Sequence, residues 1–211
     1  MNYERDPKQI YRLSFERVRM EADLERFPAD VVNLAVRLIH ACGMPEIAHD
    51  IAYSPNCISA GRRALQSGAP ILCDSMMVAH GIIRKGLAES ADVRSTINAE
   101  GVVELSHKLG TTRSAAAVEL WKEDLDGAVV AIGNAPTALF RLLERLDEDW
   151  PRPAVILGFP VGFVGAAESK AELSANPRGV PFITLHGRRG GSAMAAAAVN
   201  ALSLGLDGDG R

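Results

Sequence analysis

The chain has 211 residues, of which 47% are apolar and 23% charged, and its formal net charge at pH 7 is −3. A chain of this length commonly forms one domain and buries roughly 70% of its unfolded surface, so it can fold without a metal or a disulfide. The composition excludes collagen-like, disordered and small disulfide-rich classes, and the charge gives no reason to expect binding to nucleic acid or to an anionic membrane.

The sequence also carries information on the cellular compartment. No stretch approaches the roughly 18–20 apolar residues that a membrane span needs, and residues 1–7 carry acids and lack the apolar core of a signal peptide. The three cysteines, Cys42, Cys57 and Cys73, show no CxxC spacing. We therefore expect a cytoplasmic protein whose cysteines are structural thiols.

Two helices are predicted at the N-terminus. The first 27 residues have the apolar spacing of an amphipathic helix, and Pro28 begins a second helix. Gly43 stands where a glycine commonly ends a helix, so His40 is expected in the last turn.

Short apolar runs then alternate with helical patterns. The runs, predicted as strands, are 51–53, 70–73, 93–97, 128–132, 154–157 and 182–185. The helical patterns are 56–67, 75–87, 99–121, 136–147, 166–175 and 191–204. This alternation predicts an α/β fold, a three-layer α/β/α single domain with a mainly parallel sheet and an N-terminal helical segment. We assign the domain to residues 1–205 and a flexible C-terminal tail to residues 206–211.

Ligands of such sheets bind where the strands end, which directs attention to three glycine-containing segments, 132–137, 157–165 and 186–192. Residues 133–137 follow one strand and begin a helix with a proline. They either form a seat for a carboxylate or phosphate, made of backbone N–H groups and the helix dipole, or form an ordinary turn with Asn134 as the cap. Residues 187–192 lack both the Walker A lysine and the GxGxxG pattern. This basic turn either holds an anion or lets the next helix pack closely.

Two further positions are candidates for chemistry. Arg113, between hydroxyl side chains at a predicted helix start, suits bidentate recognition of a carboxylate, although a capped helix with a solvated arginine explains the pattern equally well. At the C-terminus of its helix, His40 lies in a field that favours imidazolium, so we expect a raised pKa and a role as proton donor. The other four histidines are expected to be structural or on the surface.

Seven segments, in chain order, resemble the precorrin-8X methylmutase family. They are RLIH (37–40), GAPILCDSMMV (68–78), TRSAA (112–116), IGNAPTALF (132–140), PVGFV (160–164), ESK (168–170) and GRRGGS (187–192). The resemblance covers about residues 3–202, and the IGNAPTAL and PVGFV segments are specific to the family. His80 and His186 depart from the family pattern and are not assigned to catalysis.

The resemblance implies an isomerase of cobalamin biosynthesis. Such an enzyme moves a methyl group from C11 to C12 of ring C of the tetrapyrrole precorrin-8X and yields hydrogenobyrinate. It implies a 1,5-sigmatropic shift assisted by His40 as general acid, with no metal or organic cofactor, in a homodimer that holds the substrate near the subunit interface. The expected substrate-binding residues are Tyr11, Ser14, Arg113, Ser114, Asn134, Thr137 and Arg188.

Three alternatives remain at this point. The first is a cobalt-precorrin-8 methylmutase of the anaerobic route, which has the same visible motifs. The second is a non-catalytic corrinoid carrier, although the presence of His40 favours the enzyme. The third is a nucleotide-binding α/β enzyme, which the missing phosphate-loop motifs disfavour.

Overall fold

A six-stranded sheet forms the centre of the computed structural model, which describes residue 1 and residues 3–204. The strands are β1 (Ile51–Tyr53), β2 (Ile71–Cys73), β3 (Val93–Ser95), β4 (Val129–Ile132), β5 (Val155–Gly158) and β6 (Phe182–Leu185). Their order is β1-β6-β5-β4-β2-β3, with β1 antiparallel to β6 and all other pairs parallel. Each strand overlaps one of the predicted apolar runs.

Helices connect the strands. The α-helices of the described residues are α1 (Pro7–Glu21), α2 (Ala29–Cys42), α3 (Cys57–Gln66), α4 (Met76–Gly81), α5 (Val102–Leu109), α6 (Arg113–Val118), α7 (Pro136–Asp147), α8 (Ala166–Ala175) and α9 (Ser192–Leu204). Short 3-10 helices cover Pro45–His49, Arg84–Gly86 and Glu119–Asp124. None of the helices in the described part of the chain has the length and apolarity to span a membrane.

Both faces of the sheet are covered, as the three-layer prediction requires. Along β4, Val129 and Ala131 join one apolar core with α3, α4 and α9, whereas Val130 and Ile132 join another with α7. This explains why the strand is a continuous apolar run instead of an alternating one. Helix α2 packs on α9, and α1 packs on α2, so the N-terminal helices form an additional layer.

The N-terminal segment differs from the prediction in one respect. Helix α1 ends at Glu21, and the first helix therefore does not extend to residue 27. The predicted end of α2 is confirmed, because Gly43 adopts the left-handed conformation (φ 70°) and its N–H donates to the carbonyl of Ile39. Amphipathic spacing locates a buried face, but it does not fix the end of a helix that has no glycine or proline stop signal.

Two predicted helical patterns are interrupted. The pattern over 99–121 divides at Gly110, which has a φ of 59°, and α6 begins after Thr112, which confirms the helix start predicted at Arg113. The pattern over 75–87 stops at Gly81, where Asn200 of α9 accepts a hydrogen bond from the N–H of Ile83 and donates one to the Gly81 carbonyl. A side chain from another helix thus replaces the hydrogen bonds of a continuing helix. The predicted tail over 206–211 lies outside the described residues.

The strand order changes direction between β2 and β4. Chain connections from β2 lead outward to β3, whereas those from β4 lead in the opposite direction through β5 to β6. Ligands of open α/β sheets bind at such a point, beyond the carboxyl ends of the strands. Asp74 directly follows β2 and Gly133 directly follows β4, the two strands between which the order changes direction.

Candidate active site

His40 lies where α1 and α2 meet. Its Nδ1 atom is 2.7 Å from Oγ of Ser14 on α1. The imidazole centroid is 5.4 Å from the ring of Tyr11 and 5.2 Å from the ring of Phe15. Two predicted substrate-binding residues, Tyr11 and Ser14, therefore contact the predicted acid directly.

Arg37 lies one turn before His40 and changes its electrostatics. Its side chain is buried, with the guanidinium carbon 5.6 Å from the centroid of the Phe15 ring. Burial is the main cause that lowers the pKa of His40, and the positive charge of Arg37 lowers it further. The expectation of a raised pKa is therefore wrong, because desolvation and the like charge of Arg37 both lower the pKa of His40. Sequence reasoning did not select Arg37 as a site residue, although its i, i+3 spacing from His40 was a signal.

Two cavities adjoin His40. The first, of about 400 Å³, is lined by α1 and the end of α2, including Ser14, Arg17 and Gly43. The second, of about 240 Å³, lies between α2 and α9 and is lined by Tyr11, Arg37, His40, Ala41, Gly81, Ile83, Ala193, Ala196, Ala197 and Asn200. The imidazole is thus accessible from two sides to a group larger than water.

A second group of predicted residues lies at the starts of α6 and α7. Thr112 caps α6 by accepting a hydrogen bond from the N–H of Ala115 at 3.2 Å. Its Oγ1 atom is also 2.7 Å from Oγ1 of Thr137 in the first turn of α7. Arg113 and Ser114 follow directly, and Arg113 is exposed, with no ion pair to any described residue.

The turn from β4 into α7 encloses a carboxylate of the chain itself. Asp74, only 2% exposed, accepts hydrogen bonds from the N–H groups of Gly133, Asn134 and Ala135 at 2.9, 2.9 and 2.7 Å. Burial raises the pKa of Asp74, and the three hydrogen bonds oppose that rise.

This arrangement corrects both interpretations of residues 133–137. The turn is an anion seat, but an internal side chain occupies it, and Ala135 instead of Asn134 holds the cap position of α7. The side chain of Asn134 is exposed and remains a predicted substrate contact. Sequence reasoning missed Asp74, although an acid directly after the buried run Ile71–Cys73 was a signal.

Arg188 lies over an exposed apolar loop. Its guanidinium carbon is 5.3 Å from the centroid of the Phe163 ring, which is 84% exposed. The carbonyl of Arg188 also accepts a hydrogen bond from the N–H of Gly162 at 3.2 Å. Gly190 explains the close approach of the two loops, since a Cβ atom there would lie 2.4 Å from the carbonyl oxygen of Phe159.

A buried lysine supports the turn that carries Arg188. Lys170 of α8 is fully buried, and its Nζ donates a hydrogen bond to the carbonyl of Arg189. Burial lowers the pKa of Lys170 to about 8, while the charge of Asp50 acts in the opposite direction. On the outer side, Arg189 pairs with Glu46 at 3.2 Å.

All but one of the predicted residues form two groups, and Arg188 lies apart from both, over Phe163. Tyr11, Ser14 and His40 form the first, whereas Arg113, Ser114, Asn134 and Thr137 form the second. Within the described residues, no hydrogen bond or ring contact joins the groups directly. The groups are linked indirectly through α9. Ser75, which is adjacent to Asp74, has its Oγ atom 3.4 Å from Oγ of Ser192 at the start of α9, and α2 packs on α9.

Comparison with known proteins defines the class of this fold and site. The model of the precorrin-8X methylmutase family matches residues 9–204. The precorrin-8X methylmutase of Pseudomonas aeruginosa is 58% identical over 96% of this chain and 98% of its own length. That of a Sinorhizobium species is 54% identical, with 96% of each chain covered.

Solved structures and more distant relatives agree. A precorrin-8X methylmutase crystal structure from Thermus thermophilus superposes with a TM-score of 0.83 at 37% identity, covering 92% of this chain and 94% of the other. The cobalt-precorrin-8 methylmutase of Priestia megaterium is 36% identical over 95% of this chain and 89% of its own length. The protein is an isomerase of cobalamin biosynthesis. The chain belongs to the precorrin-8X methylmutase family.

Proposed function

We propose that the protein converts precorrin-8X to hydrogenobyrinate by moving the methyl group from C11 to C12 of ring C, with His40 as general acid. The observation that carries this proposal is the position of His40, which adjoins two cavities and is oriented by Ser14 at 2.7 Å. The reaction takes place in the cytoplasm and consumes no cofactor.

The electrostatics of His40 suit a transient proton donor. The lowered pKa makes its imidazolium a stronger acid than an ordinary histidine. The acetate and propionate groups of the bound tetrapyrrole are anions, and their charge stabilises the imidazolium once the substrate is present. Substrate and product are isomers, so the proton that His40 gives to the ring C region returns before the product leaves.

The carboxylates of the substrate bind to the second group of residues and to Arg188. Arg113 is exposed at the start of α6, and Arg188 is exposed above Phe163. A guanidinium binds a carboxylate through two parallel hydrogen bonds, which fixes the orientation of the ring as well as its affinity. Ser114, Thr137 and the side chain of Asn134 supply neutral hydrogen-bonding groups beside Arg113.

The sequence identities of this chain to its relatives favour the metal-free substrate. The two relatives named precorrin-8X methylmutase are 58% and 54% identical to this chain, whereas that of Priestia megaterium, named for the cobalt form, is 36% identical. We therefore assign precorrin-8X as the substrate in preference to cobalt-precorrin-8.

The protein acts as a homodimer with the substrate near the subunit interface. Exposed apolar side chains at the carboxyl edge of the sheet support this: Phe163 is 84% exposed, Val164 88% and Met77 74%. Phe163 and Val164 are adjacent in the chain, and an exposed apolar patch commonly marks an interaction site. Sedimentation of the purified protein with and without product measures the mass of the assembly, and a monomer under both conditions would contradict the proposal.

The decisive experiment is turnover of precorrin-8X and its cobalt form by the purified protein, followed by absorption spectroscopy. We expect catalytic conversion of precorrin-8X to the corrin spectrum, with faster conversion of the metal-free form. A stoichiometric complex with an unchanged substrate spectrum would indicate a carrier instead.

His40→Ala tests the catalytic assignment in the same assay. The variant should bind hydrogenobyrinate within about tenfold of the parent, equivalent to about 1.4 kcal/mol, but turn over at least about 10²-fold more slowly. Loss of both properties would show that His40 shapes the pocket, and near-normal turnover would place the acid elsewhere.

A further inference from the structure

We propose that Asp74 is a positioning residue that holds Arg113 in its substrate-binding place by occupying the anion seat at the start of α7. The proposal rests on the proposed function in one respect, which is that Arg113 binds a carboxylate of the substrate. Asp74 itself is buried beneath the turn and does not contact the substrate.

Asp74 satisfies three consecutive backbone donors at the seat. Three consecutive N–H groups, of Gly133, Asn134 and Ala135, donate to the two carboxylate oxygens of Asp74 within 2.9 Å. These groups precede α7, where the helix dipole favours negative charge. Without the carboxylate, three buried or half-buried donors would lose their partner, so the turn would change conformation or admit another anion.

Helix α7 connects the seat to the substrate-binding arginine. Thr137 is in the first turn of α7, and its hydroxyl is 2.7 Å from the hydroxyl of Thr112. Thr112 caps α6 directly before Arg113. A shift in the start of α7 therefore moves Thr137, and through Thr112 it moves the guanidinium of Arg113.

The turn that forms the seat is also tightly packed, so a change in its conformation would displace the neighbouring helices. A Cβ atom on Gly133 would lie 2.7 Å from Cα of Ser192 and 2.9 Å from Cγ2 of Val78, so the turn is in close contact with α9 and α4. Ser75 caps α4 and lies beside Ser192. Residues 74 and 75 thus fix the starts of α4, α7 and α9 relative to one another.

The test replaces the carboxylate and then returns it as a small molecule. Asp74→Ala should raise KM for precorrin-8X about tenfold or more, with a smaller change in kcat, because the loss concerns substrate binding. Added formate, which fits the vacated carboxylate position, should restore KM, whereas formamide of similar size should not. His40→Ala is the matched control, and formate should leave its kinetics unchanged.

A double-mutant cycle identifies Arg113 as the residue through which Asp74 acts. Arg113→Lys raises KM by some factor in the parent, and in the Asp74→Ala background this factor should be smaller by at least about threefold. The reason is that the effects of two substitutions on one interaction are not additive. His40→Ala should combine with Asp74→Ala additively. Additive effects of Asp74→Ala and Arg113→Lys, or an unchanged KM in Asp74→Ala, would overturn the proposal.

The remaining outcomes are also decisive. If Asp74→Ala does not fold, the isosteric Asp74→Asn takes its place, and a folded Asp74→Asn protein with normal KM would overturn the proposal. Failure of both variants to fold would also overturn it, since Asp74 would then serve the whole fold. Turnover by the parent enzyme tests the proposed function separately, so the two failures are distinguishable.

Discussion

Nδ1 of His40 and Oγ of Ser14 are 2.7 Å apart, and this contact joins the imidazole of α2 to the helix that precedes it. One of the two atoms must carry the shared hydrogen, so the tautomer of the neutral imidazole depends on the orientation of the Ser14 hydroxyl. Helix α1 therefore helps to determine which ring nitrogen is available for proton transfer.

The pH dependence of turnover follows from the lowered pKa of His40. Burial and Arg37 lower this pKa below its ordinary value of 6.5 in the free enzyme. We expect kcat/KM, which reports the free enzyme, to fall as the pH rises through that lowered pKa. The kcat of the substrate complex should fall at higher pH, because the substrate carboxylates raise the pKa of His40.

Measurement of both profiles between about pH 5 and 8 tests this expectation. The descending limb should be absent from the residual activity of His40→Ala. A kcat/KM that is constant over this range, or that increases with pH, would contradict the role of His40 as an acid.

Arg113→Lys should weaken product binding although it conserves the charge. A lysine lacks the planar pair of donors that binds a carboxylate in two places, so the expected loss is on the order of 1.5–3 kcal/mol. Spectroscopic titration with hydrogenobyrinate measures the change. Arg63→Lys, at an exposed position of α3 outside both groups of site residues, is the matched control and should bind as the parent does.

Gly190→Val should destabilise the protein and impair product binding. The introduced Cβ would lie 2.4 Å from the carbonyl oxygen of Phe159 and 2.5 Å from that of Pro160, and backbone atoms cannot move aside as a flexible side chain can. Such overpacking typically costs about 1–3 kcal/mol. Denaturant unfolding measures the loss, with Ser203→Ala near the end of α9 as a control that should change little. Stability and binding equal to those of the parent would disprove the close approach.

Lys170→Met should reveal a pH-dependent difference in stability. The pKa of Lys170 is lowered from 10.5 to about 8 by burial, so between these values the unfolded chain binds more protons than the folded protein. The free energy of unfolding of the parent should therefore rise with pH in this window relative to the variant, by at most about 1.4 kcal/mol per pH unit. Urea unfolding of both proteins at several pH values measures the difference, and a constant difference would exclude a lowered pKa.

Local sequence signals were sufficient for much of the fold. Pro136 at the first position of α7 and the left-handed Gly43 after α2 are strong signals, and both helices have the predicted boundary at these residues. The helix start predicted at Thr112 and Arg113 is confirmed, whereas the end of α4 was not resolved by apolar spacing. The cause is Asn200, more than a hundred residues further along the chain, which no local pattern could reveal.

The site was predictable in its residue types but not in its electrostatics. The position of His40 in the last turn of α2 followed from Gly43, yet its pKa depends on burial beside Tyr11 and Phe15, which only the tertiary structure defines. Likewise, an anion seat was one of the two interpretations that the sequence of residues 133–137 allowed. That Asp74 occupies it depends on the adjacency of β2 and β4, two strands separated in the chain by β3.

The packing of α2 on α9 has a consequence for the size of molecule that the enzyme accepts. Helix α9 presents Ala193, Ala196 and Ala197 to the cavity of about 240 Å³ beside His40. Because these side chains are single methyl groups, they leave that volume open. Larger residues at the three positions would reduce it without altering any reacting group, so the size of the macrocycle substituents that the enzyme accepts can be changed at positions that carry no chemistry.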